Sequence, residues 1–392
     1  MKKSDRVTER SVGLYVHLPF CLRKCSYCDF CSYPGQDADT VHRYVTRLCD
    51  ELLARAPSVS GRAVDTLYFG GGTPTLLPTE EFERLLHTVR THYALCADAE
   101  ITTECNPATA DRPKLSRLRE LGINRLSIGA QSAVDEELHA LGRVHTFAQT
   151  QQTVQDARAA GFDNLSLDLM YGIPHQTPES LARSLDAALA LEPEHLSVYS
   201  LIIEPGTPFY ERRDSLVLAD EDALCQMSEQ VLSYLRSHGY ERYEISNFAR
   251  DGHRCRHNMR YWNLDDYLGF GIAAHSLLCL PSPAPDGTTA IRNYNKADLT
   301  AYLGGLEVCE TSEVLRADEL CDEYVMLRLR LADGIDKREF STRFARDFDA
   351  VYGAAAAPFI DRGLLINSPE HIAFSDSGFD VSNAVLAEIL FH

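Results

Sequence analysis

Cys21-Leu22-Arg23-Lys24-Cys25-Ser26-Tyr27-Cys28 is the stretch on which the reading of this chain turns. Three cysteines are separated by three and then two positions. Just before them, Gly13-Leu14-Tyr15-Val16-His17-Leu18 has the apolar and aromatic character of a short strand. Pro19 ends that strand, because proline offers no N–H to a ladder. The cysteines are therefore expected on a loop leaving a buried strand. There the backbone can wrap its thiolates around one inorganic centre, whereas a helix or strand points them apart.

The spacing narrows the chemistry. Structural zinc wants four protein ligands, usually as two separated pairs, and no second pair lies downstream at finger spacing. A dithiol redox pair needs only Cys25 and Cys28, in a thioredoxin-like context this sequence lacks. Ordinary electron-transfer 4Fe–4S clusters take four thiolates, so three leave one iron open to a substrate or cofactor. At this spacing the motif resembles the radical S-adenosylmethionine (SAM) superfamily. That resemblance implies a 4Fe–4S cluster whose free iron is chelated by the methionyl amine and carboxylate of SAM. Cys31 follows Cys28 at x2 and could offer a fourth thiolate; Cys28 ranks as the third ligand and Cys31 as a small apolar filler.

The chain has 392 residues, room for one large domain and one small one. A hydrophobic content of 45% is enough for a sizeable core. The net charge of −19 argues against a nucleic-acid backbone or an anionic membrane surface as partner. Twelve cysteines without a signal-peptide pattern point to a reducing, cytoplasmic setting. No window approaches the roughly 18 uninterrupted apolar residues of a membrane span.

Strand and helix then alternate. A helix is expected over Asp39–Ala56, then the strand Val64–Phe69 running into Gly70-Gly71-Gly72-Thr73-Pro74-Thr75. The glycines let backbone amides approach a ligand, but there is no phosphate-loop ending. Helix Glu80–Tyr93 precedes strand Ile101–Cys105, which places Glu104 at a strand end. Helix Asp111–Leu121 leads to a strand from Arg125 that ends at Gln131. Arg143 follows in a loop, then helix Phe147–Ala160. Strand Leu165–Met170 has Asp168 inside an apolar run, a charge that needs a partner or a ligand. Helix Pro178–Leu191 and strand His195–Leu201 complete six units. Six strands joined by right-handed crossovers fall short of an eight-stranded closure. The expected fold is α/β, an incomplete (βα)6 barrel with polar groups at the strand C-termini.

The stretches Tyr15–Phe30, Tyr68–Thr75, Glu104–Pro107, Gly122–Gln131 with Leu141-Gly142-Arg143, and Asp168–Pro174 resemble in order the radical SAM family of oxygen-independent coproporphyrinogen III oxidase and its relatives. The resemblance continues through Tyr240–Phe248 to the C-terminal domain and covers nearly the whole chain. It implies that Cys21, Cys25 and Cys28 hold the cluster and that Tyr15, Gly71 and Glu104 contact its SAM. It places Tyr27, Gly72, Thr73, Gln131, Arg143 and Asp168 around the cofactor region. Gln131 and Asp168 suit ribose or methionyl groups, and Arg143 suits a carboxylate.

Within this family the chain is more similar to the HemW-type haem chaperones than to the oxidases. The oxidase motif ends in Cys-x-Cys, where this chain has Phe30; the oxidases also have a longer segment before the cysteines. Asp29-Phe30 matches the chaperone pattern, although Cys31 stands where that pattern has Asn. His257-Asn258-Met259-Arg260-Tyr261-Trp262 resembles the His-Asn-x-x-Tyr-Trp motif associated with haem binding in that group. Imidazole is a common axial haem ligand, and Tyr261 and the single tryptophan, Trp262, suit stacking on a porphyrin. Cys255 is a rival soft ligand.

The expected organisation is a radical SAM core over 1–245, a connecting segment with the histidine motif over 246–298, and a small α-rich domain over 299–392. Pro281–Gly287 reads as a linker or flap. The function implied is a chaperone that binds haem, a 4Fe–4S cluster and SAM and hands haem to acceptor proteins. The alternatives are oxidative decarboxylation of coproporphyrinogen III and, further off, radical SAM methyl transfer.

Overall fold

The computed structural model describes residues 11–305 and 309–391. Six parallel strands follow one another through helical crossovers: β1 (Val12–Leu18), β2 (Ala63–Gly71), β3 (Ala94–Cys105), β4 (Arg125–Gln131), β5 (Leu165–Tyr171) and β6 (His195–Ser200). Their order in the sheet is their order in the chain, as right-handed crossovers dictate. Helices Ala38–Arg55, Thr79–His92, Arg112–Glu120, Phe147–Ala159 and Pro178–Leu189 supply those crossovers. Asp37, Asp111 and Thr177 cap three of them by accepting from a backbone N–H in the first turn.

Alternation along the strands separates core from lumen. On β1, Leu14, Val16 and Leu18 are fully buried in the main core with Leu48 and Leu52 of the first helix. Burying each such side chain contributes about 1.5–3 kcal/mol relative to exposure. The intervening residues are polar or small. Tyr15, Tyr68 of β2, Glu104 of β3, Ser127 of β4, Asp168 of β5 and Ser197 of β6 face one another across the barrel interior.

The stretch after β6 is more regular than its sequence suggests. Strands β7 (Glu241–Arg242) and β8 (Asn247–Ala249) extend one edge by antiparallel pairing to β6. On the other edge, β9 (Tyr267–Phe270) pairs in parallel with β1, and β10 (His275–Cys279), β11 (Thr288–Asn295) and β12 (Cys309–Arg316) add antiparallel strands. Pro281–Gly287 lies in the turn joining β10 to β11. Strands β9 and β10 are only four and five residues long, and the β11–β12 ladder shifts register twice, so the period-2 signal here is weak.

The C-terminal core gathers Leu320, Tyr324, Val325, Phe340, Phe348 and Tyr352 around helices Ala317–Arg328, Lys337–Phe344 and Phe348–Asp361. Leu277 of β10, Ala290 of β11 and Leu315 of β12 belong to the same cluster, so the sheet edge and the helices share one apolar interior. Polar clamps add to that contact. Asp376 accepts from Arg236 at 3.1 Å and from Arg242 at 3.0 Å, and Asp333 pairs with Arg254 at 2.5 Å.

Candidate functional site: a polar cavity at the strand C-termini

The cysteine loop leaves the C-terminal end of β1 and is pinned on three sides. Ser26 N–H donates to the Leu141 carbonyl at 3.0 Å, and Phe209 N–H donates to the Ser26 carbonyl at 3.0 Å. From β2, the N–H groups of Gly72 and Thr73 donate to the carbonyls of Leu18 at 2.9 Å and Phe20 at 2.7 Å. The glycines are required by this contact. A Cβ at Gly72 would lie 2.6 Å from the Phe20 carbonyl oxygen, and Gly71, at φ +111°, sits against the His17 ring. The Gly-rich amides thus hold the loop and a carboxylate of the protein itself.

Cys21, Cys25 and Cys28 line one wall of a cavity of about 360 Å³. Thr73 Oγ1 donates to Cys21 Sγ at 3.8 Å, and Arg143 Nη1 donates to Cys25 Sγ at 3.6 Å. Burial pushes the Cys28 thiol up to about 11, and the neighbouring Cys25 and Cys21 add to the shift. Three sulfurs this close resist ionising together unless a cationic centre compensates, while hydroxyl and guanidinium donors favour the thiolate. That donor set fits an iron–sulfur centre. Among the described residues no three His, Cys, Asp or Glu side chains converge on a single-ion site. Cys31 lies off this wall and packs against the main core, its carbonyl accepting from His17 Nε2 at 2.9 Å.

Across the cavity, Glu104 is held at both oxygens. Gly71 N–H donates to Oε2 at 3.0 Å and the Tyr68 hydroxyl donates to Oε1 at 3.1 Å. Burial pushes its carboxyl up to about 7, with Asp168 adding to the shift. Each oxygen keeps a lone-pair direction for a cationic ligand. Asp168 is raised by burial, against the pull of the Ser197 and Ser127 hydroxyls and of Arg125 and Arg143. Arg143 also donates through Nη2 to Asn106 Oδ1 and the Gly129 carbonyl, both at 2.7 Å. Gln131 lines the cavity from a left-handed backbone position, φ +64°, where the β4–β5 register breaks. For a non-glycine residue that conformation costs of order 1–3 kcal/mol. Tyr27, Gly71 and Gly72 also line the cavity, while Tyr15 stands behind Tyr68 and Thr73 behind Cys21.

The floor was not anticipated. Arg125 lies deep in the lumen, 2% exposed, its Nε without a hydrogen-bond partner. Beside it His195 is fixed between Ser166 Oγ at 2.7 Å and the Tyr243 hydroxyl at 2.8 Å. The signal was present in the period-2 alternation of β4 and β6, where Arg125, Ser127, Gly129 and Gln131 share one face.

The histidine motif forms the helix Arg256–Trp262 toward the N-terminal end of the barrel. Glu100 of β3 caps it, accepting from the N–H groups of Arg256 at 3.1 Å and His257 at 3.0 Å. Cys255 is fully buried, donates to Glu100 at 3.6 Å and is pushed by burial up to about 12. His257 is 1% exposed. Its Nδ1 meets Thr66 Oγ1 at 2.9 Å and its Nε2 meets the Tyr261 hydroxyl at 2.9 Å. Arg260 Nε donates to the same Thr66 oxygen at 3.1 Å, so Thr66, the imidazole, Tyr261 and Arg260 form one hydrogen-bonded cluster. Burial, with Arg260 and Arg125 nearby, holds the imidazole at about 3, so it is neutral. Asn258 reaches the cavity from below, and Trp262 is half-buried in the last turn.

Comparison with known proteins agrees with this geometry. Residues 15–188 match the radical SAM superfamily and residues 315–381 the HemN C-terminal domain. The chain is 34% identical over 384 residues to the haem chaperone HemW of Bacillus subtilis, covering 96% of this chain and 98% of that one. It is 36% identical to HemW of Mycobacterium tuberculosis, covering 96% and 94%. The solved structure of coproporphyrinogen III oxidase (HemN) from Escherichia coli superposes with a TM-score of 0.84 at 26% identity, covering 98% of this chain and 91% of that one. Near-full-length identity above 30% to HemW proteins, on a radical SAM barrel with a HemN C-terminal domain, shows that the chain belongs to the HemW family of haem chaperones.

Proposed function

We propose that this protein binds haem, holds a 4Fe–4S cluster and SAM in the barrel cavity, and passes haem to acceptor proteins. The observation behind this reading is the near-full-length similarity to HemW proteins, joined to Phe30 at the place of the oxidase's last cysteine. Phe30 is exposed at the cavity rim and has no thiol to give. In the family the cluster and SAM together supply one-electron radical chemistry when bound. The protein's own part is placement. Cys21, Cys25 and Cys28 ligate, with Thr73 and Arg143 donating to the sulfurs. Glu104 accepts from the methionyl ammonium, oriented by Gly71 and Tyr68. Tyr27, Gly72, Gln131 and Asp168 complete the surroundings of SAM, with Tyr15 packed behind Tyr68.

His257, Tyr261, Trp262 and Cys255 are the haem candidates, and His257 is the leading axial ligand. Both its nitrogens are engaged, so ligation of iron requires the helix to release one of them. Among the described residues no helix is long and apolar enough to cross a membrane.

The test is anaerobic. The reconstituted protein is titrated with haem and followed at the Soret band, with His257→Ala in parallel. The same protein receives SAM, reductant and coproporphyrinogen III. Saturable haem binding without protoporphyrinogen supports the chaperone; protoporphyrinogen without a specific haem spectrum supports the oxidase.

A further inference from the structure

His257 sits in a partition. Above it is the cofactor cavity, walled at that point by Tyr68. Below it is a separate cleft lined by Thr66, Met259 and Arg260. The imidazole stacks on the Tyr68 ring at 5.3 Å between centroids with a 26° tilt. Tyr15 closes the stack, 6.1 Å from Tyr68 and 6.4 Å from His257. The Tyr68 hydroxyl at the far end of the same ring donates to Glu104 at 3.1 Å. One ring therefore separates the motif's histidine from the carboxylate that faces the cavity.

We infer that His257 is a positioning residue for Glu104, acting through Tyr68. The inference rests on the reading of Glu104 as the acceptor for the SAM ammonium. Packed interiors leave little free space, so Tyr68, packed against both His257 and Tyr15, keeps its place only while both rings stay. With His257 seated between Thr66 and Tyr261, Tyr68 is fixed and its hydroxyl meets Glu104. Removing the imidazole leaves Tyr68 free to tilt into the space, and Glu104 loses a donor.

A consequence follows for cargo. An imidazole drawn onto haem iron must free one nitrogen from Thr66 or Tyr261 and shift from beneath Tyr68. Haem capture through His257 and SAM binding at Glu104 then oppose each other. By linkage, each weakens the other's equilibrium affinity by the same factor. The helix thus acts as a sensor of cofactor occupancy, releasing the histidine most readily when SAM is absent.

The experiment uses the full chain, reconstituted anaerobically with its cluster, and reads SAM affinity by calorimetry. His257→Ala should weaken SAM by about tenfold, the scale of one hydrogen bond to a charged group. His257→Phe, which restores a stacking ring without a ligating nitrogen, should recover most of that loss. Iron content and the thermal midpoint of each variant separate positioning from misfolding, since Phe and Ala both delete the same two hydrogen bonds. Glu104→Ala is the control for the underlying reading. Unchanged affinity in Glu104→Ala sinks that reading and the inference with it. A loss in Glu104→Ala with unchanged affinity in His257→Ala, or equal loss in His257→Ala and His257→Phe, sinks the inference alone. In a second arm, haem should weaken SAM in the unsubstituted chain and not in His257→Phe; SAM affinity indifferent to haem overturns the opposition.

Discussion

The hydroxyl of Tyr68 donates to Oε1 of Glu104 at 3.1 Å, from the middle of the barrel lumen to its C-terminal rim. The two residues sit on neighbouring parallel strands, and Gly71, three positions after Tyr68, donates to the other oxygen. A strand and the turn that leaves it thus aim one carboxylate.

Tyr68→Phe keeps the ring and removes that donor. The cluster should be retained and SAM affinity should fall by about 1.5–3 kcal/mol, the range for a hydrogen bond to a charged group. Calorimetry on the reconstituted protein checks this. Full affinity in Tyr68→Phe would show that Gly71 alone orients the carboxylate.

The same carboxyl makes SAM binding pH-dependent. With its pKa at about 7, Glu104 is partly protonated near neutrality, and a cationic ligand needs the carboxylate. Affinity should weaken as pH falls through 7, with proton release on binding that grows over the same range. Calorimetry in buffers of different ionisation enthalpy measures that release. A flat profile between pH 6 and 8 would contradict it.

Cys28→Ala should remove iron and the brown colour from reconstituted protein, while Cys31→Ala should leave both. Cys28 faces the cavity beside Cys21 and Cys25, whereas Cys31 is half-buried against the main core, off that wall. Equal loss of iron in both variants would make Cys31 a ligand.

The cysteine spacing, the six alternating strands and the polar residues at strand ends were legible in the sequence because each is a local pattern. Glu104 and Asp168 stood out as charges at the ends of, or inside, apolar strands. The role of Gly72 was not legible. Its glycine was read as room for a ligand, but the neighbour it makes room for is the Phe20 backbone. The position of His257 was equally hidden. Its helix is seven residues long and gains its cap from Glu100, more than 150 positions earlier. A contact across that distance leaves no periodic trace. The edge strands β9–β12 escaped for a related reason, since β9 and β10 are short and the β11–β12 ladder shifts register, and both weaken the alternation.

Gly72→Ala tests the loop packing. The added methyl meets the Phe20 carbonyl oxygen at 2.6 Å, a backbone atom that cannot move without the cysteine loop. Such overpacking costs typically about 1–3 kcal/mol. Thermal melts should show that destabilisation, and iron content after reconstitution should fall. Unchanged iron and stability would mean that the loop is not fixed by this contact.

His257 should make the fold acid-sensitive. Burial holds its folded pKa at about 3, below the ordinary imidazole value of about 6.5. Between those values the unfolded chain binds the proton and the folded chain does not, so stability falls as pH drops from about 6.5 toward 3. His257→Phe removes this contribution. Its stability deficit relative to the unsubstituted chain should shrink as pH is lowered from 7 to 5, read from denaturant melts. A deficit independent of pH would contradict a buried neutral imidazole.

The most direct measurement of the whole account is an anaerobic haem titration of the cluster-reconstituted protein, followed at the Soret band. The account predicts a saturable shift that is lost in His257→Ala and His257→Phe alike, because both lack the ligating imidazole. A protein that shows no specific Soret shift, yet converts coproporphyrinogen III to protoporphyrinogen when given SAM and reductant, would contradict it.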